Sequence, residues 1–496
     1  MPITGQKAAK LRGFLRELTP RARAMLLAEL ERSESRGEPM PGMELIIREL
    51  REVEGVTDAA AAAPAAAPAP PAQPATAQPS TAQPNDDSQA AQLFFAFLEP
   101  FFVDDDPEHP HMGRLPRAVA TPIWEWICRD LLPAETAAYV RQVTKLLAAK
   151  EQTRAMQAAN AFQDRVVQAI EKAVASVNGD DKERRKLAHQ IGTPRAYDDI
   201  RHLTVLLKTR DVLAVLAGKL PTKIRNLADD QIASITAFVD STAGRHRELY
   251  VMALVLVMSR LASPWQLIRI AVRAADSDFP ARVAESPYAP AVPIALAELE
   301  RLVRELESDL QNGQAMAQPS LLKDIHDAAR GLRTEIDLSA DSPWARALAG
   351  IRSQLAFALR SEIESVPGRV RRLLRVRGAK DIVPGSVIDA GEVADTEALI
   401  GFVAQCRTYA HELAINEMTM RAFSEVQNYL ETHVEPLLEG LRMAGKTDRS
   451  YRQSQFDAAV RFCSKVFGAE YAQTLVKAAD VAQATERKPP PAAAKA

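Results

Sequence analysis

The sequence predicts an all-α protein. Apolar residues recur at helical spacing along most of the chain, and an alternating pattern is confined to one short candidate strand at 381–388. Only 5% of the residues are aromatic and alanine supplies much of the apolar content. This favours closely packed helices, because alanine has the highest helix propensity. No repeat of fixed length is evident, so we expect irregular multi-helix packing, with coiled-coil pairing of longer helices.

Changes in composition divide the chain into a small and a large helical part joined by a linker. Between residues 57 and 88, alanine, proline, glutamine and threonine dominate, and few side chains are large enough to offset the entropy lost on ordering. The prolines also favour extended geometry, so we expect a disordered linker. The predicted parts are a helical module at 1–56, the linker at 57–88, a helical body at 89–485 with a possible sub-boundary near 311–320, and a disordered tail at 486–496.

The amino-terminal module is expected to contain three short helices. Thr19 and Pro20 supply a cap and a first helical residue, and the glycine-bounded segment 37–42 ends the second helix. Three short helices form a marginal core, so binding to a partner or self-association would stabilise them. The apolar residues that either bind a partner helix or face one another are Leu11, Phe14, Leu15, Leu18, Ile46, Ile47 and Leu50.

The body begins with a phenylalanine-rich segment at 90–103, which is either its first core helix or an anchor onto it. The helices that follow are bounded by glycine, proline or capping Asp, Ser and Thr residues. They are expected at 133–177 (broken once), 198–216, 229–242, 245–262, 264–275, 290–310, 321–332, 343–365, 397–441 and 450–482.

Composition also limits the classes of function. A length of 496 residues allows two to four domains, and 47% hydrophobic with 25% charged residues is typical of globular protein. The net charge of −2 provides no global attraction to nucleic acid or anionic membrane. Three widely spaced cysteines predict neither a disulfide framework nor a zinc module. Since the start of the chain lacks an apolar signal core and the most apolar window is 249–258, we expect a cytoplasmic protein.

The strongest candidate binding segment is a cluster of cations at 366–380 that contains no acidic residue. Guanidinium groups donate hydrogen bonds in pairs and so suit phosphates and carboxylates. A basic helix end that pairs with acidic residues of the body is the alternative interpretation, and the favoured one. The candidate anion-binding residues are Arg369, Arg371, Arg372, Arg375, Arg377 and Lys380.

Two other segments resemble sites but have simpler explanations. Residues 440–447 fit the phosphate-loop pattern GxxxxGK[ST], but helical spacing precedes them where a phosphate loop needs an apolar strand. A helix end at Gly440 or Gly445, with Lys446 near it, is therefore favoured over nucleotide binding. Residues 104–111 concentrate acidic and histidine side chains but lack the EF-hand pattern, and are expected to form a solvated acidic loop.

These observations predict no catalytic residues, no metal site and no cofactor. The leading hypothesis is a non-enzymatic scaffold or adaptor, in which the amino-terminal module docks one protein partner and the linker sets the effective concentration for another. The alternatives are a phosphate-directed binder of nucleic acid or anionic membrane and, less favoured, a nucleotide-binding protein. Homo-oligomerisation is compatible with the sequence.

Overall fold

The computed structural model confirms the all-α fold. It describes Ile46 and residues 84–485, except 107–108, 110, 178–179, 194, 245–246, 314–318 and 339–341. The chain divides between Ser80 and Thr81, and all the elements named below belong to the second unit.

The amino-terminal half of this unit contains ten helices within the described residues. They are α1 (Pro84–Phe95), α2 (Ala120–Trp126), α3 (Pro133–Ala148), α4 (Gln152–Val177), α5 (Asp181–Ile191), α6 (Ala196–Lys219), α7 (Asp229–Ala243), α8 (Arg247–Arg260), α9 (Ile268–Ala275) and α10 (Pro280–Glu285). Two-residue strands β1 (Phe102–Val103) and β2 (Leu115–Pro116) lie between α1 and α2.

The carboxyl-terminal half is built from longer helices. They are α11 (Ala291–Gln311), α12 (Pro319–Glu335), α13 (Pro343–Leu373), α14 (Ala390–Tyr409), α15 (Asn416–Arg442), α16 (Arg449–Phe467) and α17 (Ala469–Thr485). Short single-turn helices connect some of these elements, at Ala96–Phe101, Arg117–Val119, Ile127–Leu131, Pro264–Leu267 and Ala379–Asp381.

Helix α1 belongs to the core of the body. Phe94 is fully buried, and its ring centroid lies 5.7 Å from that of Phe162. Two buried side chains donate to the main chain of α1: Tyr139 Oη to the carbonyl of Ala90 at 3.0 Å and Gln163 Nε2 to that of Phe94 at 2.6 Å. The helix begins at Pro84, within the last residues assigned to the linker, since proline is compatible with a first helical turn.

Helix α13 extends further than its sequence predicts. We expected it to end at residue 365, before Pro367, because proline cannot donate the helical hydrogen bond. The helix instead continues to Leu373, and Val366, Pro367, Val370 and Leu373 are all buried on one side. Burial of this apolar face outweighs the missing hydrogen bond.

Other differences concern helices that are interrupted, one helix that was not predicted and one predicted strand that does not form. The break in 133–177 was predicted and occurs at 149–151. The expected helices 397–441 and 450–482 are each interrupted as well. Ala414 and Gly468 have φ values of 59° and 95° at these two breaks. Helix α5 was not predicted, because Leu187 and Ile191 are its only buried residues. The candidate strand at 381–388 contains turns and no strand.

The buried side chains form one continuous core from Ala90 to Ala479. One close contact in it depends on a glycine: a Cβ atom on Gly331 of α12 would lie 2.2 Å from Cδ2 of Trp265. The sub-boundary predicted near 311–320 falls largely on residues outside those described. Among the described helices, none has the length and apolarity needed to span a membrane.

Candidate functional site

The predicted acidic loop at 104–111 is part of a longer loop, residues 104–114, which the short parallel pairing of β1 with β2 closes at its base. It is anchored close to β2 by Gly113, which has a φ of +70°, a value that favours glycine. A Cβ atom at this position would lie 2.7 Å from Val255 and 2.8 Å from Val251 of α8. The loop therefore approaches α8 more closely than any other residue type would allow.

Ion pairs attach the same loop to α11. Arg114 contacts Glu298, which also accepts a hydrogen bond from Arg301 at 2.9 Å. Asp105 accepts one from Arg304 at 2.5 Å. Burial alone would raise the pKa of Glu298, but the Arg114 and Arg301 guanidinium groups outweigh it and hold that pKa below its ordinary value.

The expectation of a fully solvated loop was therefore wrong for part of it. The Asp105 side chain is only 11% exposed, and burial, which would raise its pKa, is outweighed by Arg304, so the pKa is lowered. Asp104 and Asp106 are exposed, as expected. Glu298 and Arg304 of the distant helix α11 hold the loop, and the local sequence gives no sign of them.

A polar pocket lies between this loop and the start of α6. Its volume is about 130 Å³. The lining residues combine histidine, arginine and aspartate side chains from the loop and from the first turns of α6. They are His109, His111, Arg114, Pro116, Arg195, Asp198, Asp199 and His202.

Three of these side chains present buried atoms without a hydrogen-bond partner in the described part of the chain. They are Nδ1 of His109, Oδ2 of Asp199 and Nε2 of His202. Asp199 is only 8% exposed, and burial raises its pKa to about 6. Burial lowers the pKa of His202, although the hydrogen bond that this ring makes to the backbone of Gly113 opposes the change.

The other histidine of the pocket that is well buried, His111, is held by its own loop. Its Nε2 lies 3.0 Å from the carbonyl oxygen of Asp106, and its Nδ1 lies 3.8 Å from Oδ2 of Asp105. Burial lowers its pKa, so the ring is neutral at neutral pH. Within the described residues, no group of histidine, cysteine, aspartate and glutamate side chains has the arrangement of a metal site.

The basic segment predicted from the sequence lies at the end of α13 and in the chain that follows. Three of its cations have internal partners: Arg371 lies 3.5 Å from Glu425, Arg372 contacts Glu392, and the guanidinium carbon of Arg377 lies 5.5 Å from the ring centroid of Tyr451. We call these the paired cations.

The other three cations, Arg369, Arg375 and Lys380, form no ion pair with the described residues. We call them the unpaired cations. Val376, between two of the arginines, is 48% exposed, and the carbonyl of Arg375 accepts a hydrogen bond from Gln455 at 2.8 Å. The end of α13 and the chain after it therefore carry three cations with internal partners, three without such partners among the described residues, and an exposed apolar residue beside them.

The phosphate-loop match at 440–447 lies in a helical context. Helix α15 ends at Arg442, with Met443 as its C-cap, so neither Gly440 nor Gly445 ends it as expected. The backbone N–H of Gly445 donates to the side chain of Asp448 at 2.8 Å. This loop follows a helix, whereas a phosphate loop follows a strand. The backbone N–H of Gly445 is already bonded to the Asp448 carboxylate, so it is not available to hold a phosphate.

The predicted partner-binding residues of the amino-terminal module lie outside the described residues, except Ile46, which is helical and half-buried. The polar pocket was missed by sequence reasoning, because its residues come from segments about 90 positions apart. The only local signals were the histidines of the acidic loop and a paired Asp198–Asp199 at a helix start.

The described residues thus form an all-α body that has a polar pocket and a basic surface segment. Comparison with known proteins identifies no matching family, no similar curated protein and no similar solved structure. Functional assignment therefore rests on the residues themselves.

Proposed function

We propose that this protein is an adaptor: the amino-terminal module docks one protein partner, and the helical body binds a second one within reach of the first. The observation that carries the proposal is the composition of residues 57–83, which offers few side chains for burial and many prolines. A tether of this kind raises the effective concentration of one binding event after the other has occurred.

The unpaired cations support a binding surface for an acidic protein segment on the body. A cation without an internal carboxylate gains most from an external one, and guanidinium groups donate to carboxylates in pairs. The exposed Val376 adds apolar contact beside them. We therefore assign the second partner an acidic segment that also carries apolar side chains.

Phosphate groups of nucleic acid or of an anionic membrane are the second candidate ligand for the same three residues. The strength of such binding falls steeply as salt rises, because each neutralised phosphate releases counterions. Nucleotide binding at Lys446 has the least support, because the segment before it is helical. As part of the proposal, we place the adaptor in the cytoplasm, in line with its free cysteines, of which Cys406 and Cys463 are buried.

The body's role can be tested with charge-matched variants of the full-length protein. One variant replaces the three unpaired cations by glutamine, and the control replaces the three paired cations, so each loses three positive charges. We expect the first variant to lose one set of co-purifying proteins from an extract of the source cells, and the control to keep them. Equal losses would contradict the assignment, and a selective loss of retention on heparin or anionic vesicles would favour phosphate.

The tether's role can be tested by changing its length and by disrupting the module. Leu15→Asp with Leu50→Asp is expected to remove a different set of partners while the body's set remains. Doubling the linker should weaken binding to a two-site complex by roughly threefold, since effective concentration falls with about the −3/2 power of length. If the module variant and the native protein recover identical partners in identical amounts, the module is not a docking element.

A further inference from the structure

The polar pocket contains two unused hydrogen-bond acceptors that face the same space. Asp199 and His202 are three positions apart on α6, so their side chains lie on one face of the helix. Both line the pocket, and both present a buried atom without a partner in the described part of the chain. Unpartnered buried polar atoms are uncommon in folded proteins because each costs free energy.

The tautomer of His202 follows from its single hydrogen bond. Since Nε2 has no partner, the hydrogen bond to the Gly113 backbone involves Nδ1. This hydrogen bond raises the pKa of His202, which is the effect expected when the ring donates to a carbonyl oxygen. The neutral ring therefore carries its proton on Nδ1 and presents the lone pair of Nε2 to the pocket. The ionised carboxylate of Asp199 is likewise an acceptor only.

The cations of the pocket do not supply the missing donors. Arg114 is held by Glu298. The charge of Arg195 only partly opposes the effect of burial on the pKa of Asp199, and its Nη2 lies 3.9 Å from Oδ2 of the more exposed Asp198. His111 is neutral and bonds its own loop. Nδ1 of His109, which also lacks a hydrogen-bond partner among the described residues, lies 3.7 Å from Oδ2 of Asp106 in the same loop. A ligand that complements this pocket must therefore bring donors, and a positive charge would compensate the buried carboxylate.

We propose that this pocket binds a small molecule through a primary ammonium group, whose N–H groups donate to Oδ2 of Asp199 and Nε2 of His202. An ammonium group carries three donors, one for each acceptor and one for water or a further oxygen. A volume of about 130 Å³ corresponds to roughly four water molecules, which limits the ligand to a compact amine or to the amine end of a longer molecule.

Protons compete with this ligand. Below about pH 6, Asp199 becomes protonated and loses its charge, so affinity should fall as pH is lowered. The groups that face this carboxyl from its own helix are Arg195 and Asp198, and those on the loop are His109, His111 and Arg114. Burial lowers the pKa of His111 and of His202, and their protonation in acid adds positive charge that weakens ammonium binding in the same direction.

The test compares two cations of equal charge on the full-length protein. Methylammonium chloride has N–H donors, whereas tetramethylammonium chloride has none. At equal concentration and about pH 8, we expect methylammonium to raise Tm in a saturable manner and tetramethylammonium to leave it unchanged. Titration calorimetry with ethanolamine gives the affinity, which should fall at least about tenfold in Asp199→Asn, the loss of a charge-assisted hydrogen bond.

The control variant is Asp395→Asn, which removes an exposed carboxylate on α14 and should keep the native affinity. Equal shifts from both cations, or no shift from either, would overturn the proposal, the second result meaning that the pocket holds only water. A shift with magnesium or zinc chloride and none with methylammonium would also overturn it. The comparison of cations uses the unaltered protein, so it decides the matter even where a variant fails to fold.

Discussion

The buried carboxyl group of Asp199 should contribute a free-energy cost to folding that is present at neutral pH and absent in acid. Burial raises its pKa from an ordinary 3.8 to about 6. This difference of about two pH units corresponds to about 3 kcal/mol, since each unit is worth about 1.4 kcal/mol. Replacing Asp199 by asparagine removes the titration while keeping the size of the side chain.

The direction follows from proton binding. The folded state binds the proton of Asp199 more tightly than the unfolded state, so the group costs nothing below about pH 3.8. The cost increases as pH rises from there to about 6, and it is constant at higher pH. The stabilising effect of Asp199→Asn must therefore grow with pH over this window.

Urea denaturation at about pH 4.5 and about pH 7.5 provides the measurement. Between these conditions, the difference in unfolding free energy between Asp199→Asn and the native protein should shift by about 2 kcal/mol in favour of the variant, because part of the cost is already present at the lower pH. Asp395→Asn, whose carboxylate is exposed, controls for the loss of one charge. A difference that stays constant with pH would refute the reasoning.

Three further predictions concern packing and thiol reactivity. Gly331→Ala should destabilise the protein by about 1–3 kcal/mol, because the added Cβ would overlap the indole of Trp265. Gly350→Ala, in open space on α13, should instead stabilise it by about 0.5–1 kcal/mol. Thermal melts compare the two variants, and equal shifts in Tm would contradict the packing. Gly113→Ala should cost about 2–4 kcal/mol in urea denaturation, from backbone strain and overlap with α8; a near-neutral effect would argue against the loop position. Burial raises the pKa of Cys406 and Cys463 to about 12. Both thiols should therefore react with iodoacetamide only at the rate of unfolding, and rapid labelling of the native protein would contradict their burial.

The helical architecture could be predicted because it is local. Helical spacing with glycine, proline and Asp caps identified most long helices of the described region, including the break between α3 and α4. Prediction failed where tertiary contacts overrode local signals, as where burial carried α13 through Pro367. It also failed at Ala414, which takes a left-handed conformation without being glycine.

The polar pocket could not be predicted for a different reason. Its two acceptors lie on α6, but the group that fixes the tautomer of one of them is Gly113, some 90 residues earlier. The residues that hold the loop, Glu298 and Arg304, lie on α11, nearly 200 residues after it. Helical periodicity places residues on a face of one helix, and it contains no information about which distant segment covers that face.

The hydrogen bonds that hold α1 determine which substitutions related chains should tolerate. Tyr139 and Gln163 recognise the main chain of α1, through the carbonyl oxygens of Ala90 and Phe94, and every amino acid carries such a carbonyl. Among related chains, α1 should therefore tolerate exchange of its outward-facing side chains. Tyr139 and Gln163, which donate hydrogen bonds to α1, should instead be retained together or lost together.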